Sequence, residues 1–235
     1  MSFLDKFPLV QRRLLSFYQG MLKDRADRPS VPTIWLPLLL IGAALLLRVL
    51  TQQGWVTGWP NFSPLVAFAF VGAVMFPKPL PWWAWPLMLM GVDWLCDGAS
   101  FWKLTQGRPE ILLAYGCYLF CAWWGSRFRG RAGVLETLGG TLACSVLFYL
   151  VTNTLCWWVE PYYTKNAAGW VQALTVGVPG PFPSTLVFFR NSLAADLIGT
   201  GVLLLIYNAE ALARNLRAIP WRWRDAGELG MAGAR

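Results

Sequence analysis

The sequence predicts an all-α integral membrane protein with six transmembrane helices in one bundle, an N-terminal amphipathic helix and both termini in the cytoplasm. Three observations carry this. Of 235 residues, 56% are hydrophobic and only 14% charged, whereas a soluble domain holds about 25% charged residues. Six apolar runs approach or reach the length of about 20 residues that a bilayer demands. The basic residues gather on one side of those runs, as the positive-inside rule requires.

The elements follow in order. In residues 1–22, Phe3, Leu4, Phe7, Val10, Leu14, Leu15, Tyr18 and Leu22 recur at helical spacing, with Lys6, Arg12 and Arg13 between them. Such a stripe predicts a helix lying on the cytoplasmic leaflet or docking on a partner, and residues 1–33 are read as this helix and its linker. The membrane domain is residues 34–207. Its spans are expected at 34–50, 64–76, 80–95, 111–125, 136–156 and 186–207, with Pro64 opening the second, where its missing N–H does no harm. Pro77-Lys78-Pro79 turns the second into the third. The longest connection, 157–185, carries Trp157, Trp158, Tyr162, Tyr163 and Trp170, and 167–178 could form a short helix. A loop of this length in a compact bundle is often functional. Residues 208–235 form a basic tail.

The 20 Lys and Arg residues test the map. Fifteen fall in the N-terminal segment, at Lys78, at Arg127, Arg129 and Arg131, and in the tail. Only Lys103, Arg108 and Lys165 fall in the opposite loops, with Arg48 and Arg190 at span ends near that side. Both termini are therefore expected inside and the chain is expected in a bacterial inner membrane. Dispersed among short loops, these charges form no continuous basic stripe, so the net charge of +8 does not indicate nucleic acid. No cleavable signal peptide is expected after Met1.

Several chemistries are excluded or disfavoured. The chain has no His, which removes the usual general base. The five Cys (Cys96, Cys117, Cys121, Cys144, Cys156) form no C-x-x-C pair, so neither a zinc site nor a disulfide framework is expected. Gly139-Gly140 lacks the spacing of a phosphate-binding loop. An enzyme is not expected, and no intrinsic cofactor.

Polar groups at membrane depth point to function by default, and here they converge on the outer rim. Asn61 and Ser63 precede the second span, Asp93, Cys96 and Asp97 end the third, Asn153 and Cys156 end the fifth, and Arg190, Asn191 and Asp196 begin the sixth. Phe62, Trp94 and Trp157 stand among them. An apolar, aromatic hollow with a few convergent polar groups describes a small-molecule site. Each residue also has a structural reading. Asn61 or Ser63 can cap the second helix, Asp93 can pair with Arg190, Asp196 can take Asn153 or Arg190 as partner, and the tryptophans can form an interfacial belt.

The motif series Pro60-Asn61-Phe62-Ser63-Pro64, then Asp93, then Thr152-Asn153 with Trp157, then Phe189-Arg190-Asn191-Ser192-Leu193 with Asp196 resembles an uncharacterised bacterial membrane family. That family looks like the S components of energy-coupling-factor vitamin transporters, six-helix proteins that bind a vitamin in an outward-facing pocket. In outline the chain is most similar to the solitary cobalamin S components. The resemblance implies Asn61, Phe62, Ser63, Asp93, Cys96, Asn153, Trp157, Arg190, Asn191 and Asp196 as ligand-binding residues, and Cys96 as a cobalt ligand of bound cobalamin, a soft thiolate for a cobalt centre. Gly42-Ala43-Ala44 does not reproduce the Ala-x-x-x-Ala motif by which S components dock on a shared energizing ATPase module. The expected partners are the lipid bilayer, a small-molecule ligand and an energizing module. The alternative is an accessory subunit of a larger membrane complex, respiratory or photosynthetic.

Overall fold

The computed structural model describes residues 61–75, 81–98, 109–180, 183–214 and 218–222, with single helical positions at 42–43, 46, 49–50 and 101. The N-terminal amphipathic helix, most of the first span and most of the basic tail lie outside the described residues. Among those described, every regular element is a helix: α1 (Leu65–Met75), α2 (Ala84–Asp97), α3 (Pro109–Arg127), α4 (Val134–Val159), α5 (Ala167–Leu174) and α6 (Thr185–Ala213). These match the second to sixth expected runs and the short loop helix. Two of them, α4 and α6, are long and apolar enough to cross a membrane. At 1.5 Å per residue they measure about 39 and 43 Å.

The boundaries have local causes. Pro81-Trp82-Trp83 forms a turn, with Ala84 N–H donating to the Pro81 carbonyl at 3.0 Å, so α2 starts later than position 80. Glu136 does not begin α4. It stands in its first turn, and its carboxylate accepts from the Gly133 amide at 3.0 Å. The amides of Val134 and Leu135 donate to the carbonyls of Pro220 and Trp221. Part of the expected tail thus folds back to close the start of α4. Asn166 caps α5, accepting from Gly169 N–H at 2.9 Å.

At the centre stands α1. It packs against α2, α3, α4 and α6, and every residue but Phe68 is buried. Phe70 fills the space left by two glycines, Gly125 of α3 and Gly140 of α4, and meets Trp124 edge-on at 5.8 Å. Small residues at such crossings let helices approach closely where hydrophobic burial supplies no drive. α4 and α6 run antiparallel, since Thr141 meets Thr200, Ser145 meets Asp196 and Tyr149 meets Phe189.

Both ends of α1 are completed by other parts of the chain. Asp196 is buried at the N-terminal end: its Oδ1 accepts from Ala67 N–H at 3.0 Å and its Oδ2 from Ser145 Oγ at 2.7 Å. At the C-terminal end, Arg129 Nε donates to the Ala73 carbonyl at 3.1 Å. An anion at the N-terminus and a cation at the C-terminus each complement the helix dipole. Replacing Arg129 by glutamine should cost about 1–2 kcal/mol of stability, since a bond from a charged donor to a helix end is lost. Denaturation of the purified protein in detergent, followed by tryptophan fluorescence, reads this directly.

Large apolar side chains stand exposed while several polar ones are buried. Leu95 is 74% exposed, Leu205 72% and Ile198 57%, whereas Asp196 is 1% and Thr137, Thr141 and Thr200 are 0%. The buried hydroxyls are satisfied in place. Thr137 donates to the Gly133 carbonyl, Thr141 shares a hydrogen bond with Thr200, and Ser145 reaches Asp196.

Candidate functional site

The short length of α1 creates the site. Asp196 is the twelfth of 29 residues in α6, and Ser145 the twelfth of 26 in α4. The start of α1, held by both, therefore lies near the middle of the two long helices. Pro64 confirms the depth by packing against Gly199 of α6. The stretch 61–64 thus leads into α1 beside the middle of α4 and α6, with Asn61 exposed and Pro64 buried. Asn61 has φ of 61°, a left-handed conformation that Asn tolerates better than most residues. Its side chain is exposed and caps nothing, because Asp196 already holds the first amides of α1.

Above this start, towards the C-terminal end of α4 and the N-terminal end of α6, lies a cavity of about 430 Å³. One wall is the face Phe148, Tyr149, Thr152, Asn153 and Cys156 of α4; the facing wall is Thr185, Phe188, Phe189 and Ser192 of α6. Spacings of three and four residues place each set on one helix face. Asn61, Tyr163, Gly177, Val178 and Pro183 close the remainder. Tyr149 and Phe189 stack across the gap with centroids 4.2 Å apart and planes inclined at 25°, and the Tyr149 hydroxyl donates to the Leu174 carbonyl. That bond ties α5 to the rim.

The polar atoms are partly spent. Thr152 donates to the Phe148 carbonyl, Asn153 Nδ2 to the Tyr149 carbonyl and Ser192 to the Phe189 carbonyl. Burial, then the neighbouring Cys156 and Glu160, push the Tyr163 phenol above its ordinary range, so it stays protonated at neutral pH.

Of the expected ligand-binding residues, Asn61 and Asn153 line this cavity. Phe62 and Ser63 are half-buried between Asn61 and α1, off its walls. Trp157 donates its indole N–H to the Thr164 carbonyl at 2.9 Å, tying the 160–166 loop down. Arg190 is exposed, and its guanidinium reaches the buried Asn191 amide oxygen at 3.4 Å. Asp93 is buried on α2 and accepts from the Tyr115 hydroxyl at 2.5 Å, so the described contacts do not join it to Arg190. Asp196 takes Ser145 and the start of α1 as partners, not Asn153 or Arg190. Cys96 lies on α2, and its side chain falls outside the described residues. The aromatic wall formed by Phe148, Tyr149, Phe188 and Phe189 was not anticipated, although its helical spacing was readable. Among the described residues no three His, Cys, Asp or Glu side chains converge to hold a metal ion.

Residues 29–218 match the profile of DUF6580, a family of unknown function. The chain belongs to the DUF6580 family. No curated protein and no solved structure matches it. The matched region of this DUF6580 member contains all six helices and every wall residue of the cavity, so the site belongs to the shared domain and not to an added terminal segment.

Proposed function

We propose that this DUF6580 protein is a multi-span protein of the bacterial inner membrane that binds a small, vitamin-like molecule from outside, as a substrate-binding component of uptake. The carrying observation is the cavity itself. Its volume lies within the roughly 300–1,000 Å³ of small-molecule sites, and it occupies the part of the bundle that α1 leaves open. A short helix that begins at mid-depth, beside unwound backbone, is how membrane transporters build binding sites. The exposed large apolar side chains and the buried, internally satisfied hydroxyls support a bundle surrounded by lipid, and the distribution of Lys and Arg favours an outward-facing cavity. A volume of this size favours a ligand smaller than cobalamin.

Native mass spectrometry of the gently extracted protein tests the reading. The wild type is expected to carry a small molecule that Asn61→Leu/Asn153→Leu loses by at least tenfold in occupancy, with the melting temperature in empty form unchanged. Equal occupancy in both proteins would remove the cavity from the function.

A further inference from the structure

We infer that the cavity selects an uncharged, flat ligand that donates hydrogen bonds, and rejects ions of either sign. This deepens the proposed function and rests on the cavity being its binding site. None of the fourteen described wall residues is Lys, Arg, Asp or Glu. The segments that adjoin Asn61 and Pro183 in the chain, 51–60 and 181–182, contain no charged residue either. Of the nearby charges, Asp196 is engaged with Ser145 and the start of α1, Arg190 with Asn191, and Lys165 with the carbonyls of Trp157 and Glu160, while the Glu160 carboxylate stands beside Tyr163 at the end of α4, off the walls. An ion entering such a hollow loses its hydration without gaining a counter-charge, which disfavours it strongly.

The hydrogen-bonding pattern narrows the class further. Thr152 and Ser192 have given their single protons to backbone carbonyls, so towards the cavity their oxygens accept. Asn153 uses one N–H on the Tyr149 carbonyl and keeps its second N–H and its acceptor oxygen. Asn61 likewise offers donor and acceptor, and the hydroxyls of Tyr163 and Thr185 complete the polar lining. A ligand suited to this set carries N–H or O–H groups, as a lactam, a cyclic imide or a neutral hydroxylated ring does. Its flat face suits the aromatic walls of Phe148, Tyr149, Phe188 and Phe189, since stacked aromatic pairs add to area burial.

Cys156, half-buried on the α4 wall, is a built-in reporter. The protein in nanodiscs is treated with three small methanethiosulfonates, one neutral and aromatic, one anionic and one cationic. Modification of the peptide containing Cys156 is timed by mass spectrometry. Rates are divided by those at a Tyr162→Cys thiol on the exposed loop. The expected result is a normalised rate for the neutral reagent at least tenfold above both charged ones. Ser192→Asp should then raise the cationic rate and lower the anionic one. Equal normalised rates for all three reagents, or rates indifferent to Ser192→Asp, would overturn the ligand class while leaving the cavity in place. No modification of Cys156 by any reagent would overturn the cavity as an accessible site, and with it the proposed function.

Discussion

Asp196→Ala is expected to destabilise the protein by about 3 kcal/mol, because buried donors stripped of their acceptor each cost roughly 1–3 kcal/mol. The carboxylate accepts from Ala67 N–H and Ser145 Oγ, with the Val66 amide also directed at it. Nothing on α1 replaces it: the helix is wholly apolar in sequence, and Asn61 and Ser63 do not reach its first amides. Asp196→Asn separates charge from shape. Its amide oxygen can still accept from Ala67, and the Ser145 oxygen can accept from its NH2 group. The loss should fall to about 1 kcal/mol, the share of a charge at a helix N-terminus. Denaturant titration of wild type and both variants in one detergent measures the series. A loss below about 0.5 kcal/mol for Asp196→Ala would mean that the carboxylate does not hold α1.

The second large effect compares two neighbouring glycines. A Cβ added at Gly139 meets nothing within 4 Å, whereas one added at Gly140 would stand 2.2 Å from Cζ of Phe70. Phe70 has no exit. It is fully buried and flanked by Trp124 and Phe128. Gly140→Ala should therefore cost about 2–3 kcal/mol or more, the range of overpacking in a filled core. Gly139→Ala should gain about 0.5–1 kcal/mol, because alanine is the better helix former. Opposite signs at adjacent positions are the signature to seek in melting temperature. Equal responses would mean that α1 does not sit against α4 as described.

The helices were legible because the relevant signal is one-dimensional. Apolar runs ended by Pro81, Pro109, Gly133 and the 175–184 turn mark helix positions without knowledge of neighbours. The partners of the buried polar groups were not legible in the same way. Choosing Ser145 over Asn153 for Asp196 requires the relative depth of α4 and α6, which hydropathy leaves undetermined. The position of Asn61 depended likewise on α1 being less than half the length of α4 and α6. Runs of 11 and 20 apolar residues look alike at their first residue. For Asp93 the fold supplies the Tyr115 hydroxyl from an adjacent helix, a partner that the charge-pairing rule does not point to. The amides Asn61 and Asn153 were found at the cavity because polarity at membrane depth is rare, whereas its aromatic wall was hidden among so many other rings.

The two-ended completion of α1 also bears on how the chain is made. Its C-terminal contact comes from Arg129, 56 positions after Ala73, and its N-terminal contact from Asp196, 129 positions after Ala67. While the ribosome is still translating α4, the central helix has emerged but lacks its acidic partner. Eleven apolar residues are fewer than a crossing demands, so in the proposed membrane setting α1 would reach its final contacts only when the last long helix arrives. Chains that stop before Asp196 would leave the start of α1 without its acidic acceptor. Assembly of the centre is thereby tied to completion of the polypeptide.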